Sequence, residues 1–422
     1  MTEQSRILSS TFDWRKKSFL DRWFRQRIFS KLDQLEQGTL VLIDEDGRHV
    51  FSGSQKGPNA TVHVHSLRTY RDLALAGTIG SAESYMRGLW DTENLSDVIR
   101  VFVQNAHMMN AFEAGSAGVQ HAFQSLLQPL RRNTKKQSKK HIAAHYDLGN
   151  DFFELFLDPS MMYSSAIFDD EHSSLETASI NKLRVICQSL ELSERDHIVE
   201  IGTGWGGFAI YAAQNYGCRV TTTTISQEQY TYAKRCIEQH GLGDKITVLL
   251  KDYRDLEGKF DKLVSIEMVE ALGHQYYTSY FTKCASLLRP GGLALIQAIT
   301  IADQEYERAK DEVDFIKKYI FPGSCIPSTT ALLNAVTRSS RLELVALRDI
   351  TSSYSKTIAA WKERLLSNYA KAEQLGLSPA FLRMWLFYFA YCEGGFQEHY
   401  IAAKQLLFRN ATYTTEEDRN KL

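Results

Sequence analysis

The segment Ile198-Val199-Glu200-Ile201-Gly202-Thr203-Gly204-Trp205-Gly206-Gly207-Phe208 places a carboxylate near the end of an apolar run and follows it with glycines at alternate positions. The run reads as a buried strand and the pattern after Gly207 as a helix, so the glycines form the sharp turn between them. Such a turn lets backbone approach a ligand without Cβ clashes, and the acid can accept hydrogen bonds from polar groups of that ligand. This is the chemistry of a nucleotide cradle, with Glu200, Gly202, Gly204 and Gly206 as its candidate contacts; for this loop alone, a tight turn with no ligand is the competing reading. The spacing G-x-G-x-G-G departs from the dinucleotide fingerprint G-x-G-x-x-G.

Three further clusters follow at the ends of later apolar runs. Thr224-Ile225-Ser226-Gln227-Glu228-Gln229 stands where dinucleotide folds place an acid on the ribose; Thr224 and Gln229 replace it, which argues against hydride chemistry. Asp252-Tyr253 sets a carboxylate where an adenine amino group would lie, and Ile266-Glu267-Met268-Val269-Glu270 brings carboxylates to the same sheet edge. No metal site is expected. His63 and His65 share a strand face without a third ligand, and the six cysteines show no C-x-x-C pairing, so they read as reduced core residues.

The elements that must position these groups alternate. Candidate strands at 197–202, 218–224, 245–251, 260–266, 292–299 and 342–350, with helices between the first five, predict a doubly wound parallel α/β sheet, and Ala403 to Asn410 reads as a last, antiparallel strand. Two long insertions, 300–340 and the helical 355–398, are expected over the carboxyl ends of the strands as substrate walls. Trp385, Phe387, Tyr388, Phe389, Tyr391 and Phe396 either line such a wall or pack a core. Ahead of this sheet, residues 35–115 read as a smaller α/β domain. Its strands are 40–43 and 62–65, separated by the turn Asp44–Gly47 and a Gly/Ser/Pro/Asn stretch at 52–60, with helical patterns from 66 to 110.

Length and composition bound the rest. A chain of 422 residues with 44% hydrophobic content supports two domains. The expected division is a basic amphipathic segment 1–34, the small domain 35–115, a basic linker 116–140, the main domain 141–412 and a tail 413–422. The 49 basic and 50 acidic residues give a net charge of −1, so no global field favours nucleic acid. Arg15, Lys16, Lys17, Arg22, Arg25 and Arg27 among Phe12, Trp14, Phe19, Leu20, Trp23 and Phe24 suit a helix lying on an anionic membrane, or equally one docked on its own domain. The basic run from Arg131 to Lys140 reads as a solvated linker or as a contact to lipid phosphates. The polar start carries no apolar run, so no secretory leader is expected, and the apolar stretch Met384 to Cys392 is too short to span a bilayer.

A wider set of motifs carries a resemblance. Tyr70-Arg71 through Gly80, Glu83 to Trp90, His145-Tyr146-Asp147-Leu148-Gly149-Asn150-Asp151-Phe152-Phe153, Leu157 to Ser164, the glycine loop, Lys251 to Asp255, Lys318-Tyr319-Ile320-Phe321-Pro322-Gly323 and Ile326-Pro327-Ser328 together resemble a cyclopropane fatty acid synthase, from about residue 66 nearly to 410. The resemblance implies a Rossmann-like methyltransferase fold. It implies S-adenosylmethionine as cofactor, held by Tyr163, Ser164, Glu200, Gly202, Gly204, Gly206, Thr224, Ile225, Gln229, Asp252, Tyr253 and Ile266. The implied reaction adds a methylene to the cis double bond of an unsaturated phospholipid acyl chain, with a bound bicarbonate as proton acceptor in a site made by Glu270, Tyr354, Gln297, Ile299 and the backbone of Ser165. A peripheral protein on the cytoplasmic face of the membrane, and a homodimer, are implied as well.

The sequence departs from the family in two places: Ser165 replaces the usual cysteine and Gln297 the usual histidine. An amide hydrogen-bonds but does not titrate near neutrality, so the route of the proton is open. A methyl- or methylene-branched product is therefore one alternative, and a non-catalytic lipid-binding protein that keeps the fold is the other.

Overall fold

The computed structural model describes residues 19–107 and 149–411. The linker 116–140, the motif residues 145–148, the tail 413–422 and the basic residues Arg15, Lys16 and Lys17 lie outside them. The chain divides into two compact units, which in described residues comprise 19–107, Val313–Ile320 and Ile358–Tyr400 in the first, and 149–312, Phe321–Thr357 and 401–411 in the second.

The first unit holds a four-stranded sheet in the order β2-β1-β3-β4, with β1 at Gln37–Asp44, β2 at Gly47–Ser52, β3 at Gln55–Val64 and β4 at Trp90–Thr92. The stretch 52–60 is thus mostly strand, with only Gly53 and Ser54 between β2 and β3. β1 and β2 form a hairpin around Asp44 to Gly47, while β3 runs parallel to β1 through a register shift between Gln37 and Thr39. That bulge accommodates Pro58, which has no N–H to give a ladder, and a Cβ on Gly57 would lie 2.7 Å from the Gly38 nitrogen, so only glycine permits this approach. Helix Leu95–Gln104 lies against β1 and β3, and helix Pro379–Gln397 packs on it and on helix Arg68–Met86.

Residues 313–320 and 358–400, assigned from sequence to the 141–412 domain, therefore belong with this N-terminal unit. Arg383, 2% exposed, anchors helix Pro379–Gln397 by donating to the Trp90 carbonyl at 2.9 Å and the Asp91 carboxylate at 2.7 Å. Trp385, Phe387, Tyr388, Phe389 and Phe396 are all buried, which settles those positions of this helix as core. His65 pairs with Asp91 at 3.1 Å, and no cluster of metal-ligating side chains occurs among the described residues.

The second unit carries a seven-stranded sheet, ordered β10-β11-β9-β8-β5-β6-β7. The strands are β5 His197–Ile201, β6 Arg219–Thr224, β7 Ile246–Leu250, β8 Phe260–Ile266, β9 Leu288–Ile301, β10 Leu342–Asp349 and β11 Ile401–Asn410. β9, β8, β5, β6 and β7 pair in parallel, and β11 inserts antiparallel between β9 and β10, as expected for Ala403 to Asn410. Two apolar cores flank the sheet, one around Leu263, Phe281, Ala294 and Leu406, the other around Ile198, Phe208, Ala212 and Val264. The strand order reverses on either side of β5, which puts the ligand crevice of such a sheet at the carboxyl ends of β5 and β8.

Candidate active site

The glycine loop occupies that crevice. Gly202, Gly204 and Gly206 have φ of +103°, +53° and +94°, and a Cβ on Gly204 would meet nothing within 4 Å, so backbone faces open space there. Glu200, inside β5, is buried, and its Oε2 has no partner among the described residues. Burial pushes its carboxyl up to about 8, against a hydrogen bond from the Thr222 side chain. At the end of β6, Thr224 Oγ1 and Gln229 Oε1 lie 3.0 Å apart, both buried, beside the helix that starts after Ser226. Ile225 follows at the surface of this corner, half-buried.

After β7, Asp252 does not stand alone: Arg254 grips its carboxylate from Nε at 2.8 Å and from Nη2 at 2.6 Å. The Tyr253 ring turns into the core against Tyr280, 5.6 Å between centroids, so its side chain is structural. Ile266 packs half-buried at the end of β8. An aromatic group flanks the glycine loop: Trp205 lies 4.9 Å from Phe153, Phe153 lies 5.5 Å from Tyr163, and Tyr163 lies 6.4 Å from Phe321.

Of the residues expected to bind bicarbonate, Ser165, Gln297 and Tyr354 converge, but on a side chain of the protein, while Ile299 and Glu270 bond to each other. Glu267, one residue past β8 and at φ +50°, accepts from Ser165 N–H at 2.8 Å, from Gln297 Nε2 at 2.8 Å and from the Tyr354 hydroxyl at 2.5 Å. The Gln297 amide is oriented from behind by Gln405 Nε2, which donates to its Oε1 at 3.0 Å. Bicarbonate does not fit this arrangement, because its donors already serve a carboxylate. The Ser165 hydroxyl donates to the Ala166 carbonyl, leaving the Ser165 backbone N–H as its contribution. Helix Thr351–Ser367 holds this loop through Thr357 and Ser353, which accept from the Ala166 and Phe168 nitrogens at 3.1 Å each.

Glu270 sits on the other side of the same turn. Its Oε1 accepts from Ile299 N–H on β9, and its buried Oε2 has no partner among the described residues. Burial, then the neighbouring Glu267 charge, push its carboxyl up to about 8. Burial also raises Glu267, but the Tyr354, Gln297 and Ser165 hydrogen bonds and the Lys182 charge favour its ionised form. Lys182, 0% exposed on helix Leu175–Ser189, donates to Ser164 Oγ at 2.7 Å; burial brings its ammonium down to about 8, against attraction from Glu267 and Asp158. Sequence reasoning gives neither Glu267 nor Lys182 a role. A second carboxylate three residues from Glu270 is the available sign of the first, and nothing distinguishes the second.

Residues 133–406 match the family described as mycolic acid cyclopropane synthetase. The tuberculostearic acid methyltransferase of Mycobacterium tuberculosis is 32% identical over 377 residues, spanning 87% of this chain and 86% of that protein. The cyclopropane-fatty-acyl-phospholipid synthase of Escherichia coli is 34% identical over 360 residues, 83% and 87% of the two chains. Among solved structures, a mycolic acid cyclopropane synthase in complex with SAH superposes with a TM-score of 0.60 at 27% identity, covering 64% of this chain and 98% of the other. The match extends over more than half of the sequence and includes the glycine loop and both carboxylates after β8, so this chain belongs to the mycolic acid cyclopropane synthetase family, as a cyclopropane fatty acid synthase-like S-adenosylmethionine-dependent methyltransferase.

Proposed function

We propose that the chain methylates the cis double bond of an unsaturated phospholipid acyl chain and closes the product to a cyclopropane ring. The observation that carries this reading is the placement, at neighbouring strand ends of one sheet, of a glycine cradle and a buried carboxylate pair. The cradle fits S-adenosylmethionine: backbone is open at Gly204, and Glu200 keeps an unpartnered acceptor for a polar hydrogen of the ligand. Ser164, Thr224, Gln229 and Asp252 would complete the binding surface. The cofactor, when bound, supplies a methyl group made electrophilic by its sulfonium.

The protein's own tasks are then to exclude water, face a carbocation and take a proton. Trp205, Phe153, Tyr163 and Phe321 supply apolar surface and π faces beside the loop, which favour a cation and disfavour its capture by water. One carboxylate of the pair after β8 supplies the proton acceptor. Incubation with a cis-monounsaturated phospholipid, followed by mass spectrometry with olefin-specific derivatisation, tests this: a ring resists derivatisation, whereas an unchanged or branched alkene reacts.

A branched product is the second reading, favoured by Gln297, which cannot titrate, and by the name of the tuberculostearic acid methyltransferase relative. The same mass spectra separate the two. Work at the cytoplasmic membrane surface is supported by helix Phe19–Leu32, where Phe19, Leu20 and Trp23 are 84%, 57% and 43% exposed beside Arg22. No described helix is long and apolar enough to cross a membrane. Sedimentation with anionic vesicles tests the surface contact, and light scattering tests the homodimer that the resemblance implies.

A further inference from the structure

The cage around Glu267 is built for an anion. Three donors from distant parts of the chain, Ser165 N–H, Gln297 Nε2 and the Tyr354 hydroxyl, meet on its two oxygens at 2.8, 2.8 and 2.5 Å. A carboxylate has about four lone-pair sites, so roughly one is left to face a reacting group. Bicarbonate presents the same planar pair of oxygens on one carbon; a second anion among these donors would find them taken and would meet the Glu267 charge at contact distance. Backbone strain adds weight to the assignment. Glu267 holds φ +50°, a left-handed conformation that non-glycine residues rarely adopt, and that geometry is what delivers its side chain into the cage.

We propose that Glu267 is the general base of this enzyme, a built-in carboxylate standing where the family resemblance places bicarbonate, so that turnover requires no dissolved bicarbonate. The proposal rests on the acyl-chain reading above. In the step it performs, the olefin has already taken the methyl group and carries a cation on the adjacent carbon. A Glu267 oxygen removes a proton from the transferred methyl carbon, the C–H electron pair becomes the third C–C bond of the ring, and the carboxylate becomes a carboxylic acid that returns its proton to solvent between turnovers. A branched methylene product would draw on the same base after a 1,2-hydride shift carries the cation onto the methylated carbon, since the C–H pair of the methyl group then forms the C=C bond and its proton leaves to Glu267. Glu270 is the protonated partner: it has the Ile299 N–H on one oxygen and no hydrogen-bond partner among the described residues at the other, whereas Glu267 has three donors and the Lys182 charge to favour its ionised form.

The decisive experiment has a readout independent of turnover. Full-length protein is titrated with carbon-13 bicarbonate and followed by carbon NMR, as wild type and as Glu267→Gly, a substitution that relieves the positive φ and whose fold is checked by circular dichroism. Wild type is expected to show no bound resonance and Glu267→Gly to gain one. In carbon dioxide-depleted buffer with phospholipid vesicles, wild-type turnover is expected to be unchanged by added bicarbonate. Glu267→Gln is expected to lose roughly 10²- to 10⁴-fold in kcat while binding S-adenosylmethionine normally, and Glu267→Gly to recover activity as bicarbonate is added. Bound bicarbonate in the wild type, or full activity of Glu267→Gln, overturns the proposal. If the wild type forms no lipid product, the acyl-chain reading fails and the NMR result still decides which anion the cage holds.

Discussion

The Tyr354 hydroxyl donates to Glu267 Oε2 at 2.5 Å, tying the first turn of helix Thr351–Ser367 to the residue that follows β8. The bond stabilises the charged carboxylate, so its removal moves the proton affinity of Glu267 upward from a value that burial already raises.

Tyr354→Phe is therefore expected to shift the acid limb of the kcat profile to higher pH. The base works when deprotonated, so activity rises through its pKa; a higher pKa delays that rise. A loss of about 10- to 100-fold at pH 7, shrinking toward pH 9, is the expected pattern. A uniform loss at all pH values would assign Tyr354 a purely structural role.

Glu270→Gln should be the mild substitution. A glutamine keeps an acceptor for Ile299 N–H and mimics the protonated carboxyl that burial favours, so kcat should fall less than about 10-fold. Glu270→Ala strands that buried N–H and should lower stability by about 1–3 kcal/mol in urea unfolding. Equal behaviour of the two variants would show that Glu270 acts through its charge.

Gln297→Leu breaks a buried chain of two amides and a carboxylate. Gln405 loses its acceptor and Glu267 loses a donor, so a stability loss of about 1–3 kcal/mol is expected, with the acid limb of activity moving up as for Tyr354→Phe. Gln297→His keeps a ring N–H toward Glu267 and should retain activity.

Stability itself should fall as pH rises from about 5 to about 8. Burial raises Glu200 and Glu270 from an ordinary 4.5 to about 8, so over that window the native state keeps protons that the unfolded chain releases. Lys182 acts at higher pH. Its folded value of about 8 lies below the ordinary 10.5, so above about 8 it returns stability as the unfolded chain alone stays protonated. Urea midpoints across this range check the sign, and Glu200→Gln or Glu270→Gln should flatten the lower slope.

Gly204→Ala places a methyl group where backbone now faces open space, at a φ of +53°. The cost to the fold should be about 1–2 kcal/mol, while S-adenosylmethionine affinity by calorimetry should fall at least about 10-fold. Unchanged affinity would move the cofactor away from this loop.

Much of the second unit is legible in the amino-acid sequence. β5 through β8 are short apolar runs closed by turn residues, and each begins and ends within a residue or so of its expected bounds; β9 runs longer, because it pairs with β8 back at Leu288 and with β11 out to Ile301. The hairpin strand β2 and the start of β3 are hidden by Gly53, Gly57 and Pro58, residues that ordinarily mark loops and here serve a close strand approach and a bulge. Residues 358–400 show apolar periodicity, which reveals that a helix has a buried face but not which core receives it. Glu267 is visible as a carboxylate; its part in the site depends on a positive φ and on donors at 165, 297 and 354, none of them near it in sequence. Lys182 is the least legible, because a lysine in a helix normally marks the solvent side.

The return of residues 313–320 and 358–400 to the first unit fixes the order in which a growing chain can mature. On the ribosome, strands β1 to β4 emerge early yet must wait for some three hundred further residues before Arg383 reaches the Trp90 carbonyl and Asp91. The central parallel strands, β5 to β8, form a more local assembly and can condense first, so the beginning of this protein is among the last parts to reach its final state during synthesis.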